Sequence, residues 1–250
     1  MKVKFGLVGR NIHYSFSKMF FTEKFKVDGL PNYSYDNYDI DSISDLKQIL
    51  NKNPKIKGLN ITIPYKVSVI PTLDKMSKKA VKIGAVNTIR ISKKGKLKGY
   101  NTDWIGFTKS ITPLLCPHHT KALILGTGGA SKAIVFALKQ LKIKSTLVSR
   151  EKKCNTLSYE DLDEKAFAKF TIVINCSPVG TFPNVNDCPK LPYELFTDQH
   201  IAYDLIYNPE ESTFLKKAKE QGAVIKNGYS MLVYQAEAAW DIWNKTKKKK

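Results

Sequence analysis

Arginine is scarce in this sequence, although the chain carries a formal net charge of +19. Only Arg10, Arg90 and Arg150 are arginines, and 38 lysines are spread along the 250 residues. Specific nucleic-acid recognition relies on planar arginine side chains more than on scattered ammonium groups. The charge therefore argues against a specific nucleic-acid binder and favours attraction of small anionic ligands.

Cysteine is also scarce, and its spacing predicts neither a metal site nor a disulfide framework. Cys116, Cys154, Cys176 and Cys188 form no Cys-x-x-Cys pair and have no histidine at the spacing of a zinc motif. No apolar stretch approaches the length of a membrane span, and the apolar run at 1–9 is too short for a signal peptide. We expect a soluble cytoplasmic protein with no metal and no membrane partner.

Strand patterns alternate with helix patterns along the whole chain, which predicts the α/β class. Among them we predict helices over 65–70 and 158–168 and a strand over 84–91. The strand patterns form two groups on either side of a predicted helix at 104–115. We therefore expect two domains, 1–103 plus 229–250 and 104–228, with an active-site cleft between them.

A glycine-rich turn lies between a predicted strand and a predicted helix in the middle of the chain. The apolar run 122–125 predicts the strand, helical spacing over 130–141 predicts the helix, and between them stand Gly126, Gly128 and Gly129. Such a turn presents backbone N–H groups and a positive helix end to a pyrophosphate. It predicts a dinucleotide site; a purely structural turn is the alternative, since Ser131 replaces the last glycine of the full motif.

The residues after the next predicted strand, at 144–148, favour NADP over NAD. An NAD site places an acidic residue here for the ribose 2′-hydroxyl. This chain instead has small polar and basic residues, namely Ser149, Arg150, Lys152 and Lys153. Basic side chains suit a 2′-phosphate, whereas Glu151 leaves an NAD preference open as the alternative.

Polar side chains stand near the ends of predicted elements in the first half of the chain. They are Ser15, Ser17, Thr62, Lys66, Asn87 and Asp103. Open α/β sheets bind ligands at the carboxyl ends of their strands, so these residues are candidates for a site. Structural roles are the alternatives: Ser17 and Asp103 as helix caps, and Lys66 as one surface lysine among many.

Several separated motifs resemble those of the shikimate dehydrogenase family, in the same order along nearly the whole chain. They lie at 9–17, 60–66, 85–88, 101–103, 126–131, 175–180 and 231–236. The resemblance implies a substrate domain and a Rossmann-type domain. It also implies NADPH-dependent reduction of 3-dehydroshikimate to shikimate, in the pathway to chorismate and aromatic amino acids.

The resemblance also implies roles for individual residues. Lys66 and Asp103 would transfer the proton, and Ser15 and Ser17 would bind the substrate carboxylate. The other substrate contacts would be Thr62, Asn87, Tyr207 and Gln235. The NADP contacts would be Gly126, Gly128, Gly129, Ala130, Ser149, Arg150 and Gly228.

The chain departs from the family pattern at a few positions, which bear on substrate preference. Lys18 replaces a common proline, Phe21-Thr22 replaces a common His-Asn pair, and Trp104 replaces a small residue. The alternatives are a quinate/shikimate dehydrogenase with relaxed substrate or cofactor choice, and an inactive ligand-binding regulator. We expect a monomer or a homodimer.

Overall fold

The computed structural model describes residues 2–13, 15–151 and 155–244. Lys152, Lys153 and Cys154 lie outside the described residues. The chain divides into two compact units, Met1–Thr102 with Ala236–Lys250 (unit 1), and Asp103–Gln235 (unit 2). Across the described ranges, no helix combines the length and the apolar character that crossing a bilayer requires.

Unit 1 is built on a six-stranded mixed sheet in the order β2-β1-β3-β5-β6-β4. Its elements are β1 (Val3–Gly9), α1 (Phe16–Val27), β2 (Tyr33–Asp39), α2 (Leu46–Lys52), β3 (Ile56–Ile61), β4 (Lys75–Met76), α3 (Lys78–Ile83), β5 (Thr88–Ile91) and β6 (Leu97–Tyr100). β1 runs parallel to β2 and β3, whereas β5 runs antiparallel to both β3 and β6. The ends of β1, β3 and β6 and the start of β5 therefore lie at one edge of the sheet.

The two faces of this sheet carry separate apolar clusters. One contains Val8, Leu59, Ile61 and Ile89, and the other is largely aromatic. In the aromatic cluster Trp243 stacks on Phe5 with ring centroids 4.8 Å apart, and its indole N–H donates to the Ile89 carbonyl at 3.0 Å. The end of the last helix is thus part of the core of unit 1.

Unit 2 contains a second six-stranded sheet, in which every strand pair is parallel. Its elements are α4 (Asp103–Ile111), β7 (Lys121–Leu125), α5 (Gly129–Gln140), β8 (Lys144–Val148), β9 (Thr156–Leu157), α6 (Glu164–Phe167), β10 (Ile172–Asn175), β11 (Ile201–Asp204), α7 (Thr213–Glu220), β12 (Val224–Lys226) and α8 (Tyr229–Asn244). The order β9-β8-β7-β10-β11-β12 is that of a Rossmann fold, and its switch point lies between β7 and β10. The α/β prediction is confirmed.

Three predicted elements differ from the structure. Residues 65–69 form turns followed by a 3-10 helix at Ile70–Thr72, because the Lys66 carbonyl accepts from the Val86 N–H at 2.7 Å instead of from a helical turn. The predicted helix at 158–168 shrinks to Glu164–Phe167, since the Asp161 carboxylate accepts from the Ser158 N–H and stabilises a turn. The strand predicted over 84–91 starts only at Thr88, because Gly84 ends α3 with φ 70°.

Candidate functional site

The two serines after β1 are positioned by the start of α1. Ser15 is the helix cap, with its hydroxyl accepting from the Ser17 N–H at 3.2 Å. The structural alternative that assigned the cap to Ser17 is therefore wrong, and Ser17 is a buried residue of the first turn. The connecting loop is fixed by the Asp39 carboxylate, which accepts from the N–H groups of Asn11 and Ile12 at 2.9 and 3.0 Å.

Thr62 and Lys66 follow β3 at the same edge of the sheet. The Thr62 N–H donates to the Val8 carbonyl at 2.9 Å, which continues the pairing of β1 and β3. A side chain at Gly9 would bring its Cβ to 2.5 Å from the Thr62 methyl group, so this close approach requires glycine. Both Thr62 and Lys66 are half-buried. The structure thus brings Thr62 and Lys66 to the sheet edge that also carries the serine loop.

Asn87 precedes β5 and is nearly inaccessible to solvent. Its side-chain oxygen accepts from the Thr102 N–H at 2.7 Å, and its side-chain nitrogen donates to the Thr102 hydroxyl at 2.9 Å. Asn101 is held next to it, by a 3.1 Å bond from its side-chain nitrogen to the Ala85 carbonyl. These bonds fix the residues immediately before Asp103, which is the buried first residue of α4. Sequence reasoning missed the part played by Thr102.

The glycine-rich turn of unit 2 has the geometry that a pyrophosphate requires. Gly126 has φ 105°, a conformation that favours glycine. Gly128 precedes α5 without a side-chain cap, and a Cβ there would meet no described atom within 4 Å. Ser131 is buried, and its hydroxyl donates to the Gly128 carbonyl at 2.7 Å, so it supports the turn in place of a third glycine. Together with Gly129 and Ala130 at the helix start, the turn fits a bound dinucleotide.

Ser149 and Arg150 follow β8, the strand next to the glycine turn. The Gly126 N–H donates to the Val148 carbonyl at 2.9 Å, which joins the turn to the end of β8. Ser149 is half-buried and Arg150 is exposed. The two residues therefore lie where a dinucleotide on the turn would place its ribose.

The turn after β10 is held by a buried carboxyl group that the sequence analysis missed. Asn175 donates to the Val179 carbonyl at 3.2 Å and to Asp204 at 3.1 Å, and its own oxygen accepts from the Ser177 N–H at 3.0 Å. Asp204 also accepts from Ser212 at 2.5 Å. Burial raises the pKa of Asp204 to about 6. Asp204 thus connects the turn at the switch point with the loop that carries Tyr207.

Two close backbone approaches position the remaining predicted residues. A Cβ at Gly228 would collide with the Leu205 carbonyl, and the Gly228 N–H donates to the Ile206 carbonyl at 2.9 Å. The start of α8 therefore packs on the loop just before the half-buried Tyr207.

Gln235 lies further along α8 and is buried. A Cβ at Gly106 would approach the Cβ of Gln235 to 3.0 Å, so α4 packs closely against α8 one turn after Asp103. The predicted residues thus form two sets. One lies at the edge of the sheet of unit 1, and the other lies in unit 2.

Comparison with known proteins identifies the family. A shikimate dehydrogenase from Clostridium botulinum strain Hall, named as NADP(+)-dependent, is 39% identical over 95% of both chains. The chain belongs to the shikimate dehydrogenase family. A profile of the shikimate dehydrogenase substrate-binding domain matches residues 7–89, which lie in unit 1.

Solved shikimate dehydrogenases have the same fold as this chain. The enzyme from Aquifex aeolicus is 34% identical with a TM-score of 0.86, covering 97% of this chain and 92% of its own. A shikimate dehydrogenase in complex with NADP+ is 33% identical with a TM-score of 0.85, covering 97% of this chain and 90% of its own. A quinate dehydrogenase from Corynebacterium glutamicum in complex with NAD is 25% identical with a TM-score of 0.85, covering 97% and 94%.

The family confirms the general predictions from the sequence. This shikimate dehydrogenase family member is an oxidoreductase acting on a CH–OH group, with NADP as its cofactor and a small molecule as its substrate. Its two-domain architecture is that of the family, with an N-terminal substrate domain and a Rossmann-type domain.

The buried Asp204 predicts a measurable dependence of stability on pH. Because its pKa is higher in the fold than in the unfolded chain, its contribution to stability is fully present below about pH 4 and is lost as pH rises through about 6. In Asp204→Asn this loss is absent, so the variant gains stability over the wild type by roughly 1–2 kcal/mol between pH 5 and 7.5. Urea unfolding of both proteins across that range measures the difference.

Asp198→Asn, at an exposed aspartate of the same unit, is the control and should show no such trend. A pH-independent difference between Asp204→Asn and the wild type would contradict the expectation.

Proposed function

We propose that this chain catalyses the reversible NADPH-dependent reduction of 3-dehydroshikimate to shikimate. The observation that carries the proposal is the single sheet edge of unit 1 at which five polar residues gather, namely Ser15, Ser17, Thr62, Lys66 and Asn87. The chain then continues through Thr102, whose backbone is bound by Asn87, directly into Asp103. This arrangement supports a site for a small anionic ligand with several hydroxyl groups.

The residues divide the substrate into recognisable parts. Ser15 and Ser17 bind the carboxylate, since hydroxyl groups near a helix N-terminus donate to an anion in a favourable field. Thr62, Asn87 and Gln235 bind the ring hydroxyls, and Tyr207 lies beside the ring. Polar groups of this kind reject an analogue lacking a hydroxyl by about 10⁴–10⁵, because they would be left unpaired.

The proton transfer is assigned to Lys66 and Asp103. NADPH supplies the hydride, and negative charge then develops on the carbonyl oxygen of the substrate. A cation or proton donor within about 3 Å of that oxygen stabilises the charge. Lys66 donates the proton in the reduction and accepts it in the oxidation, while Asp103 keeps the ammonium group charged and oriented.

Unit 2 holds the cofactor in this proposal. Gly126, Gly128, Gly129 and Ala130 bind the pyrophosphate through the turn and the start of α5. Ser149 and Arg150 bind the 2′-phosphate, and Gly228 allows the chain to approach the nicotinamide. The residue ranges 1–103 plus 229–250 and 104–228 then serve as substrate domain and NADP domain.

The alternatives differ from this proposal in substrate or in catalysis. Activity on quinate, or use of NAD, remains the nearest alternative, because a quinate dehydrogenase with NAD shares the fold. The presence of both Lys66 and Asp103 favours an enzyme over an inactive regulator. We further propose a cytoplasmic monomer or homodimer without specific nucleic-acid or membrane partners, in keeping with evenly spread lysines.

The wild-type protein tests the proposed reaction directly. Four mixtures pair shikimate or quinate with NADP+ or NAD+, and the absorbance of the reduced nicotinamide is followed. We expect formation with shikimate and NADP+ to exceed the other three combinations by at least about tenfold, as the loss of one charged contact would give. No reduction in any mixture would overturn the proposed function and favour the regulator.

Replacing Lys66 tests the proton transfer. Lys66→Met removes the proton donor with little change in volume, so kcat should fall by at least about 10², the usual contribution of a general acid. Lys57→Met, at an exposed position of β3, is the control and should keep wild-type kcat. A loss in kcat below tenfold for Lys66→Met would show that another group moves the proton.

Replacing Arg150 tests the choice of cofactor. Arg150→Ala should lower kcat/KM for NADP+ by about 10- to 100-fold, because a hydrogen bond to a charged group is lost. Its kcat/KM for NAD+ should change less than threefold. Lys144→Ala, at the exposed start of β8, serves as the control. Equal losses for NADP+ and NAD+ would remove Arg150 from the 2′-phosphate site.

A further inference from the structure

A continuous chain of buried polar side chains crosses the sheet of unit 1. It joins the serine after β1 to the asparagine before β5 and consists of Ser17, Tyr35, Asn60, Thr88 and Asn87. All five are buried, with 7% or less of their surface exposed. Buried polar groups are costly unless they are paired, so the pairing deserves a functional explanation as well as a structural one.

Asn60 is the centre of this chain. Its side-chain nitrogen donates to the Asn87 carbonyl and to the Thr88 hydroxyl, both at 3.3 Å. The Thr88 hydroxyl in turn donates to the Asn87 side-chain oxygen at 3.0 Å. Asn60 therefore acts on both the backbone and the side chain of Asn87.

On its other side Asn60 leaves only an acceptor. Its oxygen accepts from the Tyr35 hydroxyl at 2.8 Å, so the Tyr35 proton is committed to Asn60. Burial raises the pKa of Tyr35, and a hydrogen bond with the Ser17 side chain opposes that rise. Tyr35 is thus a neutral donor to Asn60 and an acceptor from Ser17.

This order of donors and acceptors holds the Ser17 oxygen in one place. The Ser17 hydroxyl can turn its hydrogen from Tyr35 to a bound carboxylate without moving its oxygen, because a hydroxyl rotates about its C–O bond. Tyr35 loses nothing essential in that change, since its own proton stays on Asn60.

We propose that Tyr35 and Asn60 are positioning residues, which hold Ser17 and Asn87 in register for one substrate molecule. The inference rests on the proposed function, in which Ser17 binds the carboxylate and Asn87 binds a ring hydroxyl. Tyr35 and Asn60 act through Ser17 and Asn87 and do not touch the substrate themselves.

Packing alone does not require the Tyr35 hydroxyl. The Tyr35 ring stacks on Phe21 with centroids 4.6 Å apart, inside the aromatic cluster of unit 1. A phenylalanine ring would make the same contact. The hydroxyl therefore serves the polar chain, and Tyr35→Phe removes it without removing the packing.

The same strand offers a matched control. Tyr38 also lies on β2, and its buried hydroxyl has no hydrogen-bond partner among the described residues. Tyr38→Phe removes the same atom from the same strand but from outside the polar chain. Any effect of losing a tyrosine hydroxyl from β2 in general appears in both variants.

The first experiment compares the steady-state kinetics of Tyr35→Phe and Tyr38→Phe. We expect Tyr35→Phe to raise KM for shikimate by about tenfold, as the loss of one buried hydrogen bond would give. KM for NADP+ should stay within about twofold, because NADP is assigned to unit 2. Tyr38→Phe should leave both constants within about twofold of wild type. A KM for shikimate that is equal in the two variants overturns the proposal, whatever their melting temperatures.

The second experiment asks whether Tyr35 acts through Ser17. If it does, the double variant Tyr35→Phe with Ser17→Ala should be no worse in kcat/KM than Ser17→Ala alone, within about twofold. Two effects that multiply would mean that Tyr35 acts independently of Ser17, which contradicts the proposal.

A third comparison applies at the Asn87 end and does not depend on Tyr35→Phe folding. Thr88→Val removes the hydroxyl with its shape kept, and Thr88→Ser keeps the hydroxyl. We expect a raised KM for shikimate in Thr88→Val only, and equal values in both would overturn the positioning role. Failure of the proposed function looks different, because the wild type itself would then not reduce NADP+ with shikimate.

Discussion

The hydrogen bonding of Asn87 is the interaction on which the substrate-binding half of the proposed site depends. Its carbonyl accepts from the Ile61 N–H at 2.8 Å, and its N–H donates to the Tyr100 carbonyl at 3.1 Å. Its side chain binds the backbone and hydroxyl of Thr102. One residue thus fixes the end of β3, the end of β6 and the residue before Asp103. Strand pairing alone stops at Thr88, so without this amide the groups beyond it would have no common reference.

Unit 2 uses an amide in the same way at the switch point of its own sheet. Asn175 ends β10, and its side chain organises the following turn through Ser177 and Val179. Asp204 at the end of β11 binds that amide in turn. In both units a buried asparagine continues the order of the sheet past the last strand residue. Parallel sheets leave such strand ends at one edge, where ligands bind, so rigidity is needed there most.

The sequence predicted the elements and the edge residues, but not the contacts that hold them. Periodicity and glycine positions were sufficient for the α/β class and the Rossmann-type half, because those signals are local. Thr102 and Asp204 escaped, since their partners Asn87 and Asn175 are distant in sequence, and only strand pairing brings them together. The helix predicted at 158–168 failed for a related reason: side-chain bonds such as that of Asp161 compete with the helix, and spacing does not reveal them. The individual site residues stay predictions.

Charge and selectivity have separate sources in this protein. The net charge of +19 comes almost entirely from scattered lysines, and such a field attracts any anion, including a carboxylate or a phosphate. It does not distinguish one anion from another. The buried groups at the edge of unit 1 are instead neutral amides and hydroxyls, whose donors and acceptors have fixed directions. A neutral, directional site discriminates by unpaired hydrogen bonds, which cost more in a buried place than a displaced surface charge. The lysines therefore govern how often a ligand arrives, and the buried amides govern which ligand stays.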